Sequence, residues 1–235
     1  MKNETLTMLQ AGSRTRGVAD IEISSIPAPI TVAVVDDDQS FRDALTFQLV
    51  TAGFHVAGYP SAESFLAPFR LMNCDCIVAD ICLPGLNGLQ LLAEVKQSVP
   101  FVSIIFVTGR GDISIGVQAM REGAVDCLQK PIDEQSLLDS IRRGAALFRE
   151  KRAEDQRRLE LQVREETLTP REHEVFGLIA TGLLNKQVGA TLGATERTIK
   201  THRGRVMDKM CADSLADLVR MAEILRVQPI FPSQR

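Results

Sequence analysis

The stretch ITVAVVDDD, Ile30 to Asp38, runs from apolar and β-branched residues straight into three consecutive carboxylates. The first part reads as a short buried strand. The second part raises an electrostatic question. Two like charges ~4 Å apart repel by roughly 1 kcal/mol in water and about 4 kcal/mol at an intermediate dielectric. Such a cluster needs solvent or a cation, and what else reaches the same strand end decides which.

Outward from this stretch a rhythm sets in. The helical pattern QSFRDALTFQLVTAG ends at Gly53, FHVAGY reads as a second strand, and SAESFLAPFRL as a helix that Pro68 kinks or ends early. CDCIVAD, FVSIIFVT and the weaker AVDCLQ read as strands three to five. They are separated by the helices GLQLLAEVKQS and ISIGVQAMREG and followed by DEQSLLDSIRRGAALF. Short apolar runs alternating with amphipathic helices predict βαβ units, hence a parallel sheet covered on both faces in a doubly wound α/β fold.

From Arg149 the chain turns almost wholly charged, REKRAEDQRRLELQVREE, without Gly or Pro. It reads as a solvated helical connector in preference to a dimerising coil, because Leu159, Leu161 and Val163 do not form a heptad. Four helical segments without strands follow. Thr169, Pro170 and Glu172 form a capping-box start, Asn185 is expected to cap KQVGATLG, Gly193 to stop it, and Thr195 and Ser214 to cap the last two helices. The short turn at Gly193 between two helices is a helix-turn-helix signal. The expected division is a flexible leader 1–29, an α/β domain 30–148, a charged linker 149–165, an all-α domain 166–228 and a tail 229–235.

Composition narrows the function. The 235 residues are 45% hydrophobic and 24% charged, with a net charge of −3. That charge is uneven: from Thr167 onward there are 10 Lys and Arg against 7 Asp and Glu, while the remainder carries 17 against 23. An acidic first part and a basic last part imply different partners, nucleic acid for the second. The five cysteines are odd in number and form no CxxC pair, so buried reduced thiols in a cytosolic protein are expected. Neither a secretory signal nor a membrane-spanning run is visible, and a soluble, cytoplasmic protein is expected.

In an open α/β sheet, ligands bind beyond the carboxyl ends of the strands, at the switch point. With strand order 2-1-3-4-5, Asp36 and Asp37 end the first strand and Asp80 the third, facing one crevice. A hard divalent cation relieves their repulsion, and Mg2+ suits a site of few carboxylates and several waters. Thr108 ends the fourth strand and Lys130 the fifth. A hydroxyl, an ammonium and a metal facing one carboxylate make a phosphoryl-binding constellation. Asp38 reads as a first-turn helix residue favoured by the helix dipole.

This arrangement resembles the receiver domain of bacterial two-component response regulators over about residues 30 to 148. The resemblance is carried by Asp36 and Asp37, Asp80 in VADICLPGLNG, Thr108 in VTG and the Lys130–Pro131 pair. It implies that Asp80 is the nucleophile accepting phosphoryl from a sensor histidine kinase. It also implies that Mg2+ is held by Asp37, Asp80 and the Cys82 backbone carbonyl, with Asp36 acting partly through water. The family passes its signal from the Thr to an aromatic residue on the fifth strand. Here that position is Cys127, whose thiol cannot swing a ring toward Thr108. Switching through Thr108 and Cys127 is therefore expected to be less sharp or to rely on the helix after Ile113.

On a helix from Glu196 to Met210, Ile199, His202, Val206 and Met210 share a core stripe, and Arg197, Lys200, Thr201, Gly204 and Arg205 lie opposite. Lys200 and Thr201 are expected at base edges of the major groove, and Arg197, Arg203, Arg205 and Lys186 mainly at phosphates. His202 is expected to be a satisfied core residue. LTPREHEVFGLIATGLLNKQVGATLG and RTIKTHRGRVMDKM resemble the LuxR-type DNA-binding domain, and the two halves together resemble the FixJ/NarL group of response regulators. That resemblance implies double-stranded DNA as a ligand, homodimerisation on phosphorylation and control of transcription, with RNA polymerase a further candidate partner. The last helix, with Leu215, Leu218, Val219, Ala222 and Leu225, is expected to serve the core more than a dimer contact.

Two rival readings stand beside this one. A haloacid-dehalogenase-like phosphohydrolase would use Asp36 and Asp38 as its D-x-D pair, but leaves Asp80, Lys130 and the basic helix without a role. A protein-binding module would account for the four C-terminal helices without DNA.

Overall fold

The computed structural model describes residues 28–69, 74–109 and 113–229. Most of the leader and of the tail, residues 1–27 and 230–235, lies outside them. The first half alternates β1 (Thr31–Val35), α1 (Gln39–Thr51), β2 (His55–Tyr59), α2 (Ala62–Phe69), β3 (Cys76–Asp80), α3 (Gly88–Ser98), β4 (Ile104–Thr108), α4 (Ile113–Arg121) and β5 (Asp126–Gln129). Then come α5 (Glu134–Glu165), α6 (Pro170–Ala180), α7 (Asn185–Leu192), α8 (Glu196–Met210) and α9 (Leu215–Leu225).

The five strands pair in parallel in the order β2-β1-β3-β4-β5. The unbroken apolar runs of β1, β3 and β4 follow from burial on both faces. Ala33, Val35, Ile77, Ala79, Ile104 and Phe106 join one core with Phe65, Leu91 and Ala119 of α2, α3 and α4. Val32, Val34, Val78, Ile105 and Val107 join the opposite core with Leu45 and Leu49 of α1 and with Leu137 and Ile141 of α5. Adjacent residues of one strand thus serve different layers, as a period of two requires. The pattern also aims all five carboxyl ends the same way.

Local chemistry corrects several boundaries. Asp38 is the N-cap of α1 rather than a first-turn residue, because its carboxylate accepts the free Ser40 and Phe41 N–H groups. α2 is described over Ala62–Phe69, and Arg70 and Leu71 of the expected helix lie outside the described residues. β5 ends at Gln129, so Lys130 is the first residue beyond the strand. Asn185 does not cap α7: Leu184 holds the cap position, and its N–H is taken by Gln187 Oε1 at 2.8 Å. Of the cysteines, Cys74 and Cys76 are buried, but Cys82, in the turn after β3, and Cys211, at the end of α8, are exposed.

The Thr169 capping box, with Pro170 in the first turn of α6, and the Thr195 and Ser214 caps form as read. Gly193 closes α7 at φ +63°, a left-handed turn that favours glycine. The four C-terminal helices enclose a core of Val175, Phe176, Leu178, Val188, Ile199 and Val206 among others, and Leu161 of α5 belongs to that core too. Leu218, Met221 and Ala222 of α9 are spent there. α5 is therefore one helix of 32 residues that begins against the sheet and ends among the C-terminal helices.

Candidate functional site: an acidic pocket and a basic helix

The carboxyl ends of β1 and β3 carry the acids. Asp36 is 2% exposed, Asp80 half-buried and Asp37 exposed. One carboxylate oxygen from each lies within 4.8 Å of the others. Lys130 Nζ reaches in from the end of β5 and bridges two of them, 2.9 Å from Asp36 Oδ2 and 2.7 Å from Asp80 Oδ2. Its ammonium also stands 3.9 Å from the centre of the Phe41 ring, a cation–π contact.

The remaining oxygens are tied to backbone. Asp36 Oδ1 accepts from Asp38 N at 2.9 Å, and Asp80 Oδ1 from Cys82 N at 2.8 Å. Tyr59 O accepts the Asp36 N–H, and Arg42 caps the Asp36 carbonyl at 2.5 Å. Burial raises the Asp36 pKa against the opposing pull of the Lys130 hydrogen bond. Burial alone would lower that of Lys130, but its hydrogen bonds to Asp80 and Asp36 raise it. The ammonium is thus held charged between two acids.

Thr108 is buried at the end of β4, next to Val107, which pairs with Asp80. Its carbonyl accepts the Lys130 N–H at 2.8 Å, linking the two residues through the backbone. α3 presses on the same corner: a Cβ at Gly88 would lie 2.8 Å from the Phe106 ring, 2.9 Å from Asp80 O and 2.9 Å from Ile81 Cα. Only glycine lets that helix approach the Asp80 backbone. Three carboxylates with oxygen-only donors fit a hard divalent cation. Asp38 stands apart, its carboxylate committed to the helix cap.

Cys127 lies on β5 facing α4, where a Cβ added to Gly116 would come 3.1 Å from its Sγ. Beside it a cavity of about 580 Å³ is lined by Thr108, Gly116, Val117, Met120 and Cys127.

On α8, Ile199, Val206 and Met210 are buried, and Arg197, Lys200, Thr201, Gly204 and Arg205 are exposed, as is Lys186 on α7. Arg203 is half-buried, with Nη1 3.5 Å from Asn185 Oδ1. His202 is not the satisfied core residue expected: it is half-buried, and its Nδ1 is buried without a hydrogen-bond partner among the described residues.

Sequence reasoning missed Phe41 and the lattice under α8. Phe41 tops the stripe Phe41, Leu45, Leu49, whose spacing already aims it at the strand ends. The lattice joins Lys209 Nζ to Glu172 at 2.7 Å and to Thr167 O at 2.9 Å, while Arg164 Nη1 reaches Met210 O at 3.2 Å. Glu172 is held down to about 2 by the Lys209 ammonium first and the Thr169 N–H second.

Two family models match the chain. The response regulator receiver domain covers residues 32–142, and the luxR family of bacterial regulatory proteins covers residues 166–222. Nodulation protein W of Bradyrhizobium diazoefficiens is 44% identical over 83% of this chain and 86% of its own length. The transcriptional regulatory protein FixJ of Azorhizobium caulinodans is 36% identical over 87% of this chain and 97% of its own length. Among solved structures, the response regulator StyR superposes with a TM-score of 0.74 at 39% identity, over 83% of this chain and 99% of that one.

This chain is a two-component response regulator of the FixJ/NarL type. A response regulator of this type is a phosphorylation-responsive transcriptional regulator, and its receiver relays a phosphoryl group rather than turning over a substrate. The phosphohydrolase reading is thereby overturned, in keeping with an Asp38 that caps a helix. The protein-binding-module reading of the C-terminal helices falls with it. For a response regulator, family membership implies partnership with a histidine kinase and DNA, and dimerisation. Among the described residues no helix is long and apolar enough to cross a membrane.

Proposed function

We propose that Asp80 is the phosphoacceptor, with Lys130, Thr108, Asp36 and Asp37 as its working partners. The single observation that carries this reading is the Lys130 bridge at 2.7 Å to Asp80 and 2.9 Å to Asp36. In the proposed transfer an Asp80 carboxylate oxygen attacks phosphorus on the kinase's phosphohistidine. A P–O bond forms, the N–P bond breaks, and the released imidazole takes up a proton. Such chemistry asks the protein for positioning and charge neutralisation. Lys130 is already hydrogen-bonded to the attacking group and can follow the new phosphoryl oxygens. The Thr108 hydroxyl can turn toward them.

Mg2+ held by Asp37, Asp80 and the Cys82 carbonyl, with Asp36 partly through water, would neutralise charge on the phosphoryl oxygens; the three clustered carboxylates support that ligand set.

Phosphoryl adds roughly −1.5 to −2 charges to this pocket. We read the output as a rearrangement of α4 over Cys127, because Gly116 leaves the thiol and the helix in close contact and a cavity stands open beside them. Val117 and Met120, both exposed on α4, offer apolar surface for a second copy. Residues 30–148 would then act as receiver, 149–165 as linker and 166–228 as DNA-binding domain. In the latter, Lys200 and Thr201 read base edges, and Arg197, Arg203, Arg205 and Lys186 hold phosphates on paired half-sites about one helical turn apart. RNA polymerase is the further partner for an activating mode. The test is Asp80→Asn: loss of phosphodonor-dependent footprinting on genomic fragments is expected, and unchanged dependence would contradict the reading.

A further inference from the structure

At the opposite end of the sheet from the acidic pocket stands a cluster that the proposed function does not use. Arg149 Nε lies 3.0 Å from Asp75 Oδ1 and Nη2 lies 2.6 Å from Asp75 Oδ2, a bidentate fork. The same guanidinium donates from Nη1 to Ala28 O and from Nη2 to Pro29 O, each at 2.9 Å. Asp75 Oδ2 in turn accepts the Thr31 N–H at 2.9 Å, and the Asp75 N–H returns to Thr31 O at 2.9 Å. One arginine on α5 thus holds the entrances to β1 and β3 together. Asp75 is 12% exposed and Arg149 34%, so the fork is partly shielded from water.

Its place on α5 gives it meaning. Phe148, one residue earlier, is buried, with its ring centroid 5.9 Å from that of Phe101. Residues 150–160 are all exposed, and the next buried position is Leu161, in the core of the C-terminal helices. Arg149 is therefore where α5 leaves the receiver. A solvated helical stretch that short is marginal in water by itself, since isolated helices below ~12–15 residues do not hold. It is gripped at the receiver end by the buried Phe148 and the Arg149 fork, and at the other end by Leu161 and the Arg164 to Met210 O bond.

We propose that Arg149 is a positioning residue for signal transfer: its fork on Asp75 fixes where and in which direction α5 leaves the receiver, and so couples phosphorylation to DNA binding. The inference rests on the reading of Asp80 as the phosphoacceptor that controls DNA binding. A salt bridge between a helix and a strand entrance is in itself a modest stabiliser. Here it acts on the helix that joins the two domains.

The test uses the full-length protein as wild type, Arg149→Ala, Arg149→Lys and Asp75→Asn, with the genomic fragment that the wild type protects in footprinting. Three quantities are read with acetyl phosphate and Mg2+: phosphoryl incorporation, the ratio of DNA dissociation constants without and with phosphodonor, and the rate of trypsin cleavage after Arg152, Arg157 and Arg158. Coupling between two sites typically spans roughly 5- to 150-fold. Arg149→Ala and Asp75→Asn are expected to bring that ratio most of the way to one and to raise linker cleavage about tenfold, with phosphoryl incorporation unchanged. Arg149→Lys keeps the charge without the fork and is expected to fall between. Should Arg149→Ala fail to fold, Arg149→Lys and Asp75→Asn carry the same comparison. A wild-type ratio retained in the fork variants overturns the inference. A wild type that takes up phosphoryl at a residue other than Asp80, or shows no phosphodonor dependence, overturns the underlying reading instead.

Discussion

Replacing Lys130 by Met keeps most of the side-chain volume and removes the ammonium between Asp36 and Asp80. Asp36 is then a carboxylate 2% exposed with no cation against it. Breaking a fully buried pair from one side costs about 3–5 kcal/mol. Lys130 is 26% exposed and Asp80 13%, so solvent screens part of the loss, and about 2–3 kcal/mol is expected. Against a domain stability of roughly 5–15 kcal/mol the variant stays folded but is plainly weakened. The sign of the pH dependence follows from Asp36, whose folded pKa is already raised by burial. Loss of Lys130 raises it further, so the added cost is present above that pKa and fades as acid protonates the group. Mg2+ should recover more stability in the variant than in the wild type, because no ammonium competes for the same oxygens; ligand at about a hundred times its Kd contributes ~2.7 kcal/mol. The chain has one tyrosine, Tyr59, and no tryptophan, so tyrosine fluorescence during urea unfolding reports the receiver alone. Equal stability of variant and wild type at pH 7 without Mg2+, or equal gains from Mg2+, would refute the argument.

Other consequences are open to direct measurement. Gly88→Ala drives a Cβ into the Phe106 ring and the Asp80 backbone at 2.8–2.9 Å; a loss of about 1–3 kcal/mol and slower phosphorylation are expected in the same urea assay with phosphodonor labelling. Glu172, 3% exposed and held at about 2, contributes stability above the unfolded value of 4.5 that is lost as pH falls toward 2. With Lys209 34% exposed, we expect about 1–2 kcal/mol, read as a smaller acid-induced loss in Lys209→Met by far-UV circular dichroism. Lys200→Ala should relax base preference at one position of the site, whereas Arg205→Ala should weaken binding evenly and flatten the log–log salt slope by about 0.9. A flat salt dependence in the wild type would argue against phosphate contacts.

Much of this was legible in the sequence, for a physical reason. A strand buried on both faces must be written as an unbroken apolar run, so Val32–Val35, Ile77–Ala79 and Ile104–Val107 announce the sheet, and parallel order brings Asp36, Asp80 and Lys130 to one edge. Capping obeys local rules, so Thr169, Thr195 and Ser214 were readable from a few neighbouring residues. The misses are of two kinds. Asp38 and Leu184 turn on which of two adjacent residues stands at the helix boundary, a choice settled by backbone geometry to within one residue. Arg149 with Asp75, and Lys209 with Glu172, join residues far apart in sequence, and nothing in a charged run shows which member will meet a distant carboxylate. His202 falls on the apolar stripe by periodicity, yet helical phase alone does not tell whether a ring nitrogen finds a partner.

The central claim concerns one atom pair, and chemistry can address it directly. Full-length protein incubated with acetyl phosphate and Mg2+ and then reduced with borohydride converts any acyl phosphate into a homoserine that peptide mass spectrometry can locate. Conversion at Asp80, absent without Mg2+ and strongly reduced in Lys130→Met, is the predicted result; conversion at Asp36, Asp37 or Asp38 with Asp80 intact would contradict it.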